Sequence, residues 1–204
     1  MGAAQPELEA EIRRLADEER WEEAATRALK GYGAELLGFL HAVVEDPAGA
    51  DEVFSLACEK AWTGLPTFRF ESTFRTWLYG VARNLAYDRW RAQQRHRKRF
   101  EGLEDNSRAE QVAAHVRSTT AMHLRSQTKT ELQRIRDALP PEDRMLLVLR
   151  LDREMSWTEV ARVLTDDATA DDDVAREAAR LRKRYERVKA KLTQELRGLA
   201  KEPR

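Results

Sequence analysis

Between Pro66 and Pro140 the chain contains no proline, and inside that span lies "STFRTWLYGVARNLAYDRWRAQQRHRKR". Phe74, Trp77, Leu78, Val81, Leu85 and Trp90 recur there at or near the three- and four-residue spacing of one helix face. The segment therefore reads as one long helix, with the hydroxyl of Ser72 or Thr73 placed to cap its first turn. An isolated helix gains little stability in water, so its apolar stripe must be buried against other helices. Its second half is basic: Arg83, Arg89, Arg91, Arg95, Arg97, Lys98 and Arg99 face a single acid, Asp88.

The rest of the chain supplies such partners. Of 204 residues, 42% are hydrophobic and 35% charged, with few Gly and Pro. Ala, Leu, Glu and Arg dominate, which predicts an all-α protein with room for one large domain or two small ones. Residues 7–30 carry Leu8, Ile12, Leu15 and Trp21 at roughly helical spacing. From Tyr32, Leu36, Leu37, Phe39, Leu40, Val43 and Val44 make a broad apolar face. Asp46 and Pro47 suit a cap and a first helical position, and open a helix with Val53, Phe54, Leu56, Ala57 and Trp62. "TGLPTFRFES" reads as a loop. After residue 100 the pattern fades into a polar, initially acidic stretch. It resumes near Glu131 in "ELQRIRDALP", "PEDRMLLVLRLDR" and "SWTEVARVL", where Ser156 with Glu159 forms a capping box. A final helix presents Leu181, Tyr185, Val188, Leu192 and Leu196. The organisation is thus two small helical domains: a helical extension at 1–29, a first module at 30–99, a polar linker at 100–130, and a second module at 131–200.

Formal net charge is zero, but it sums very uneven segments, and a ligand feels the local charge. His41, His96, His115 and His123 are scattered, and no residue set has the spacing of a metal site, a phosphate loop or a catalytic pair. No catalytic residue, cofactor or metal is expected. The lone Cys58, on an apolar face, reads as core rather than nucleophile. No run of the chain is apolar enough to span a bilayer, so the expected location is the cytoplasm.

Two constellations point to nucleic acid. In "FRFESTFRTWLYGVARN", Phe68, Phe70, Phe74, Trp77 and Tyr79 interleave with Arg69, Arg75 and Arg83. Such residues can stack bases while binding phosphate, although Phe74, Trp77 and Leu78 fit a core better, and Phe70, between Arg69 and Glu71 in the loop, is the better candidate for an exposed contact. The basic helix after "SWTEVARVL" fits the second helix of a helix-turn-helix. A solvated helix with internal ion pairs is the plainer alternative.

On these residues the chain resembles bacterial RNA polymerase sigma factors of the extracytoplasmic-function type. "DP…DE…AW" with "FRFESTFRTWLYGVARNLAYDRWR" is similar to sigma region 2. "LPPEDRMLLVLRLDREMSWTEVARVL" and "LRKRYERVKAKL" are similar to region 4. The resemblance implies a helical bundle and a helix-turn-helix domain, binding to core polymerase and promoter DNA, and commonly control by an anti-sigma factor. It places Phe70, Glu71 and Ser72 in a loop that captures a flipped −10 base. It groups Trp77, Arg83, Asn84, Asp88, Arg89 and Arg91 with −10 recognition and melting. Arg180, Arg182, Lys183, Arg184 and Arg187 would read the −35 element, and Asp51 and Glu52 would meet the polymerase. Phe70 stands where the family often has Gly, and Ser55, Leu56 and Cys58 stand where a Gln-Glu pair and a Phe are common.

A helix-turn-helix regulator that never joins polymerase would explain residues 156–198, but not the aromatic and basic block at 68–99. A helical interaction protein would leave both basic helices unexplained. Between the two helices of the second motif lies an acidic insertion near 166–177, "DDATADDDVARE". It either caps the basic helix, where the helix dipole favours acid, or covers that helix until DNA displaces it.

Overall fold

The computed structural model describes residues 5–44, 46–94, 111–116, 135–136, 138–165 and 171–199, and all regular elements among them are helical. They fall into two compact units, residues 3–125 and 126–204.

In the first unit, α1 (Pro6–Asp17), α2 (Trp21–Val43), α3 (Pro47–Gly64) and α4 (Phe74–Gln94) pack around α2. The charge-rich stretch expected over 7–30 is two helices. At the end of α1, Glu19 takes a left-handed conformation (φ 58°), and the amides of Glu19 and Arg20 bond back to Ala16 and Leu15. This is a Schellman-type ending, usually made by Gly. Because α2 runs unbroken from Trp21, the division placed at residues 29 and 30 falls inside it.

Much of the core lies on the faces that the helical spacing foretold, although Trp21, Leu56, Trp62, Trp77, Val81 and Trp90 of those faces are only half-buried. Leu8, Ile12 and Leu15 of α1 meet Leu29, Leu36, Leu37, Phe39 and Leu40 of α2, together with Val53 and Phe54 of α3 and Phe74 and Leu78 of α4; all are buried. The spacing also foretold the start of α3: the Asp46 carboxylate accepts from the amides of Ala48 and Gly49, and Pro47 follows as the first helical residue. Cys58 is buried within α3.

One charge lies at the heart of this unit. Arg75 is fully buried and forms a two-pronged ion pair with Glu35 of α2, at 2.6 and 3.3 Å. It also lies over the Tyr79 ring. A buried charge is tolerated only with such a partner, so this pair fixes α4 against α2.

Most of the expected linker lies outside the described residues. Residues 111–116 are helical, with Ala113 and Val116 buried. Val116 packs over Gly33 of α2, where an added Cβ would come within 3.0 Å of it.

The second unit contains α5 (Pro141–Leu147), a π-helical turn (Val148–Asp152), α6 (Trp157–Leu164) and α7 (Asp171–Leu199). Pro140 and Pro141 start α5. The widened turn buries Val148 and Leu149 but leaves Leu151 47% exposed. The capping box is present: Ser156 Oγ accepts from the Glu159 amide, and the Glu159 carboxylate accepts from the Ser156 amide. Val160, Ala161 and Val163 of α6 are buried, as are Leu181, Tyr185, Val188 and Leu192 of α7; Leu196 is exposed. Trp157 meets Tyr185 edge-on at 5.4 Å.

Candidate nucleic-acid interface

The loop between α3 and α4 carries the densest aromatic cluster of the first unit. After a 3-10 turn at Leu65–Thr67, Phe68 stacks on Trp77 with centroids 4.9 Å apart, and Phe70 lies 4.6 Å from Phe68. Phe74 closes the cluster from beneath, 5.3 Å from Trp77. Phe74 is buried, whereas Phe68, Phe70 and Trp77 are half-buried, so part of each of these side chains meets solvent. Phe70 has φ 55°, in the left-handed region that favours Gly. The chain therefore keeps the backbone shape a glycine would adopt, and adds an aromatic ring there. For a bulky residue this costs about 1–2 kcal/mol.

The start of α4 is fully capped. Thr73 is the N-cap: its Oγ1 accepts from the Thr76 amide and its carbonyl accepts from Trp77. The two remaining first-turn amides, of Phe74 and Arg75, donate to the Glu9 carboxylate of α1 at 2.7 and 3.0 Å. The Tyr32 hydroxyl donates to the same carboxylate at 2.7 Å. Burial, and then the Glu9 carboxylate beside it, push the Tyr32 hydroxyl above the ordinary tyrosine range.

From this loop an outward face runs along α4. Trp77, Asn84, Asp88 and Arg91 follow at helical spacing; Asn84, Asp88 and Arg91 are exposed, as is Glu71 in the loop, while Ser72 is half-buried. Two expected members lie elsewhere. Arg83 is buried, lies over the Tyr87 ring and donates to Asn84 Oδ1. Arg89 is clamped to α3 by Asp46 at 2.9 Å and Glu52 at 2.5 Å. Gly49 makes room for it, since a Cβ there would overlap the guanidinium. Both arginines are thus held in helix packing. Asp51 and Glu52 sit side by side in α3, partly exposed, with Asp51 3.0 Å from His41 Nε2.

In the second unit, Arg180, Arg182, Lys183 and Arg187 are exposed along α7. Arg180 pairs with Glu177 at the exposed surface. Arg184 differs: its guanidinium donates to Asp143 of α5 at 2.6 Å and ties the two helices together. The acidic stretch divides. Asp171, Asp172 and Asp173 form the first turn of α7, with Arg162 bonded to Asp171 and Arg176 to Asp173. Residues 166–170 lie outside the described ones. Among the described residues, no group of three His, Cys, Asp or Glu side chains is placed to hold a metal, and no helix is long and apolar enough to cross a membrane.

Residues 29–96, which hold the aromatic loop and the outward face of α4, match the Sigma-70 region 2 family. This part of the chain is a sigma-70 region 2 domain, which supports a bacterial sigma factor. The chain is also similar to the RNA polymerase sigma-H factor of Pseudomonas aeruginosa, with 26% identity over 136 residues, or 65% of this chain and 70% of that protein. Both likenesses support a sigma factor that acts with RNA polymerase in transcription initiation. Glu9, Arg13 and Glu35 were not foreseen as contributors to the site. The one sequence signal for Glu9 is its place directly beside Leu8, at the margin of the buried stripe of α1.

Proposed function

We propose that this sigma factor is of the extracytoplasmic-function type, and that it reads a −10 element with its first unit and a −35 element with its second. Supporting the first part is one arrangement: a partly exposed aromatic loop, continuous with the exposed Asn84, Asp88 and Arg91 of α4. A base leaving the duplex loses a few kcal/mol of stacking. Stacking on an aromatic side chain returns about 1–3 kcal/mol per base. Phe70, flanked by Glu71 and Ser72, is the platform for that base. Trp77 extends the platform toward the duplex edge, and Asn84, Asp88 and Arg91 line the track of the unpaired strand. Arg89 contributes by fixing α4 against α3, and Arg83 by orienting the Asn84 amide.

The second unit serves as region 4. Arg180, Arg182, Lys183 and Arg187 enter the major groove or neutralise phosphates, and Arg184 holds the reading helix on α5. The part of the polar stretch that follows the helix at 111–116, which packs on α2, joins the two domains and lets each meet its own promoter element. Asp51 and Glu52 meet core polymerase. The protein works in the cytoplasm, where an anti-sigma factor restrains it.

The test is transcription in vitro. Added to bacterial core polymerase on fragmented genomic DNA, the protein should produce start sites that core enzyme alone does not. If it binds DNA but leaves every start site unchanged, the rival reading of a polymerase-independent helix-turn-helix regulator replaces this one.

A further inference from the structure

The region 2 match begins at residue 29, yet the loop that carries Phe70 is held by side chains that precede it. Glu9 and Arg13 lie four residues apart on α1, and so share a face. Glu9 caps the first two amides of α4, where the positive end of the helix dipole favours a carboxylate. Its position is fixed in turn by the Tyr32 hydroxyl. One turn further along, the Arg13 guanidinium lies 5.4 Å from the centre of the Phe70 ring. A strained residue keeps its conformation only where its surroundings over-determine it. For Phe70 those surroundings are Phe68 on one side and Arg13 on the other.

We propose that α1 completes the site for an unpaired nucleotide of the promoter strand, an inference that rests on the reading of region 2 given above. Glu9 is a positioning residue: it sets where α4 begins, and with it the end of the loop that presents Phe70. Arg13 is a binding residue. It covers the exposed ring face in the free protein. When a base takes that face, the guanidinium, on its long exposed side chain, turns to the adjacent phosphate. Ring and cation together match the two chemistries of a nucleotide, a flat base and an anionic linkage.

The experiment uses the full chain bound to core polymerase and a single-stranded oligonucleotide carrying the −10 sequence. Single abasic sites are introduced one position at a time. For the wild type, one abasic position should weaken binding by roughly 5- to 150-fold, the range expected from losing one stacked base. Glu9→Ala should reduce that discrimination to within about twofold while leaving polymerase affinity unchanged. Arg13→Ala should keep the discrimination but lower the slope of log affinity against log salt by about 0.7, the value for one phosphate on a single strand. Should Glu9→Ala no longer bind polymerase, Glu9→Gln, which keeps the shape and loses the charge, is judged by the same criterion. Full discrimination in a Glu9 variant that binds polymerase, or an unchanged salt slope in Arg13→Ala, overturns the role of α1. A wild type that discriminates no abasic position overturns instead the underlying reading of the loop.

Discussion

Replacing Phe70 by glycine separates the shape of the loop from the ring it carries. The backbone sits at φ 55°, so glycine relieves about 1–2 kcal/mol of left-handed strain. Against this, the ring loses its contact with Phe68, worth about 0.5–1.5 kcal/mol for an aromatic pair. It also loses Arg13, worth about 0.5–1 kcal/mol at an exposed site. Glycine's extra freedom in the unfolded chain costs about 0.5–1 kcal/mol more. Taking mid-range values, the variant should lose only about 1 kcal/mol of unfolding free energy, measured by urea denaturation. Promoter opening should respond far more. Losing one stacked base removes about 1–3 kcal/mol, or roughly 5- to 150-fold in the open-complex equilibrium, read by permanganate reactivity of unpaired thymines. A variant destabilised by well over about 3 kcal/mol would show that the ring is core. A variant that opens promoters like the wild type would show that the ring reads nothing.

Three further outcomes are expected. Glu35→Ala strands the fully buried Arg75 charge and should cost the first unit about 3–5 kcal/mol in urea unfolding, whereas the pair Glu35→Leu with Arg75→Met should recover most of it. Because the folded-state pKa of Tyr32 is raised, its contribution is present below about pH 10 and lost as pH rises above it; the fall in stability between about pH 10 and 11.5 should be shallower in Tyr32→Phe than in the wild type. Lys183→Ala should weaken −35 DNA binding and reduce the salt slope by about 1, while Arg184→Ala should mainly lower the melting temperature of the second unit, because its partner is Asp143.

What could be read from sequence was local. The hydroxyl of Thr73, the Asp46–Pro47 pair and the Ser156–Glu159 box each act within three residues of themselves, and each caps the helix expected of it. The buried stripe of α7 follows from its period. Four features escaped because their causes are not local or not typical. The break between α1 and α2 uses Glu19 where a glycine would have announced it. The π-helical turn at Val148–Asp152 interrupts the α-helical period within "PEDRMLLVLRLDR", and Leu151 is exposed. Arg83, Arg89 and Arg184 count as cations on basic helices, but burial beside Asn84 and Tyr87 sets the first and tertiary partners set the other two. Asp46 and Glu52 hold Arg89, and Asp143 holds Arg184. The cap supplied by Glu9 spans 65 residues of chain, and no spacing rule reaches that far.

The acidic stretch before α7 is partly accounted for in the same way. Asp171 to Asp173 occupy a first helical turn, where acid is favoured, and two of them bond to Arg162 and Arg176. The run of exposed cations begins two turns later, at Arg180, so the surface proposed to meet DNA is separated from the acid along the helix.

The central claim is that loop 68–73 holds an unpaired base of the −10 element. It is tested most directly by placing a photoreactive phenylalanine analogue at position 70 and irradiating the complex with core polymerase on promoter DNA. The account predicts a crosslink to one strand, within the −10 element, that forms only under conditions in which the promoter is open. A crosslink to duplex DNA before opening, or none to the −10 element in an open complex, would contradict it.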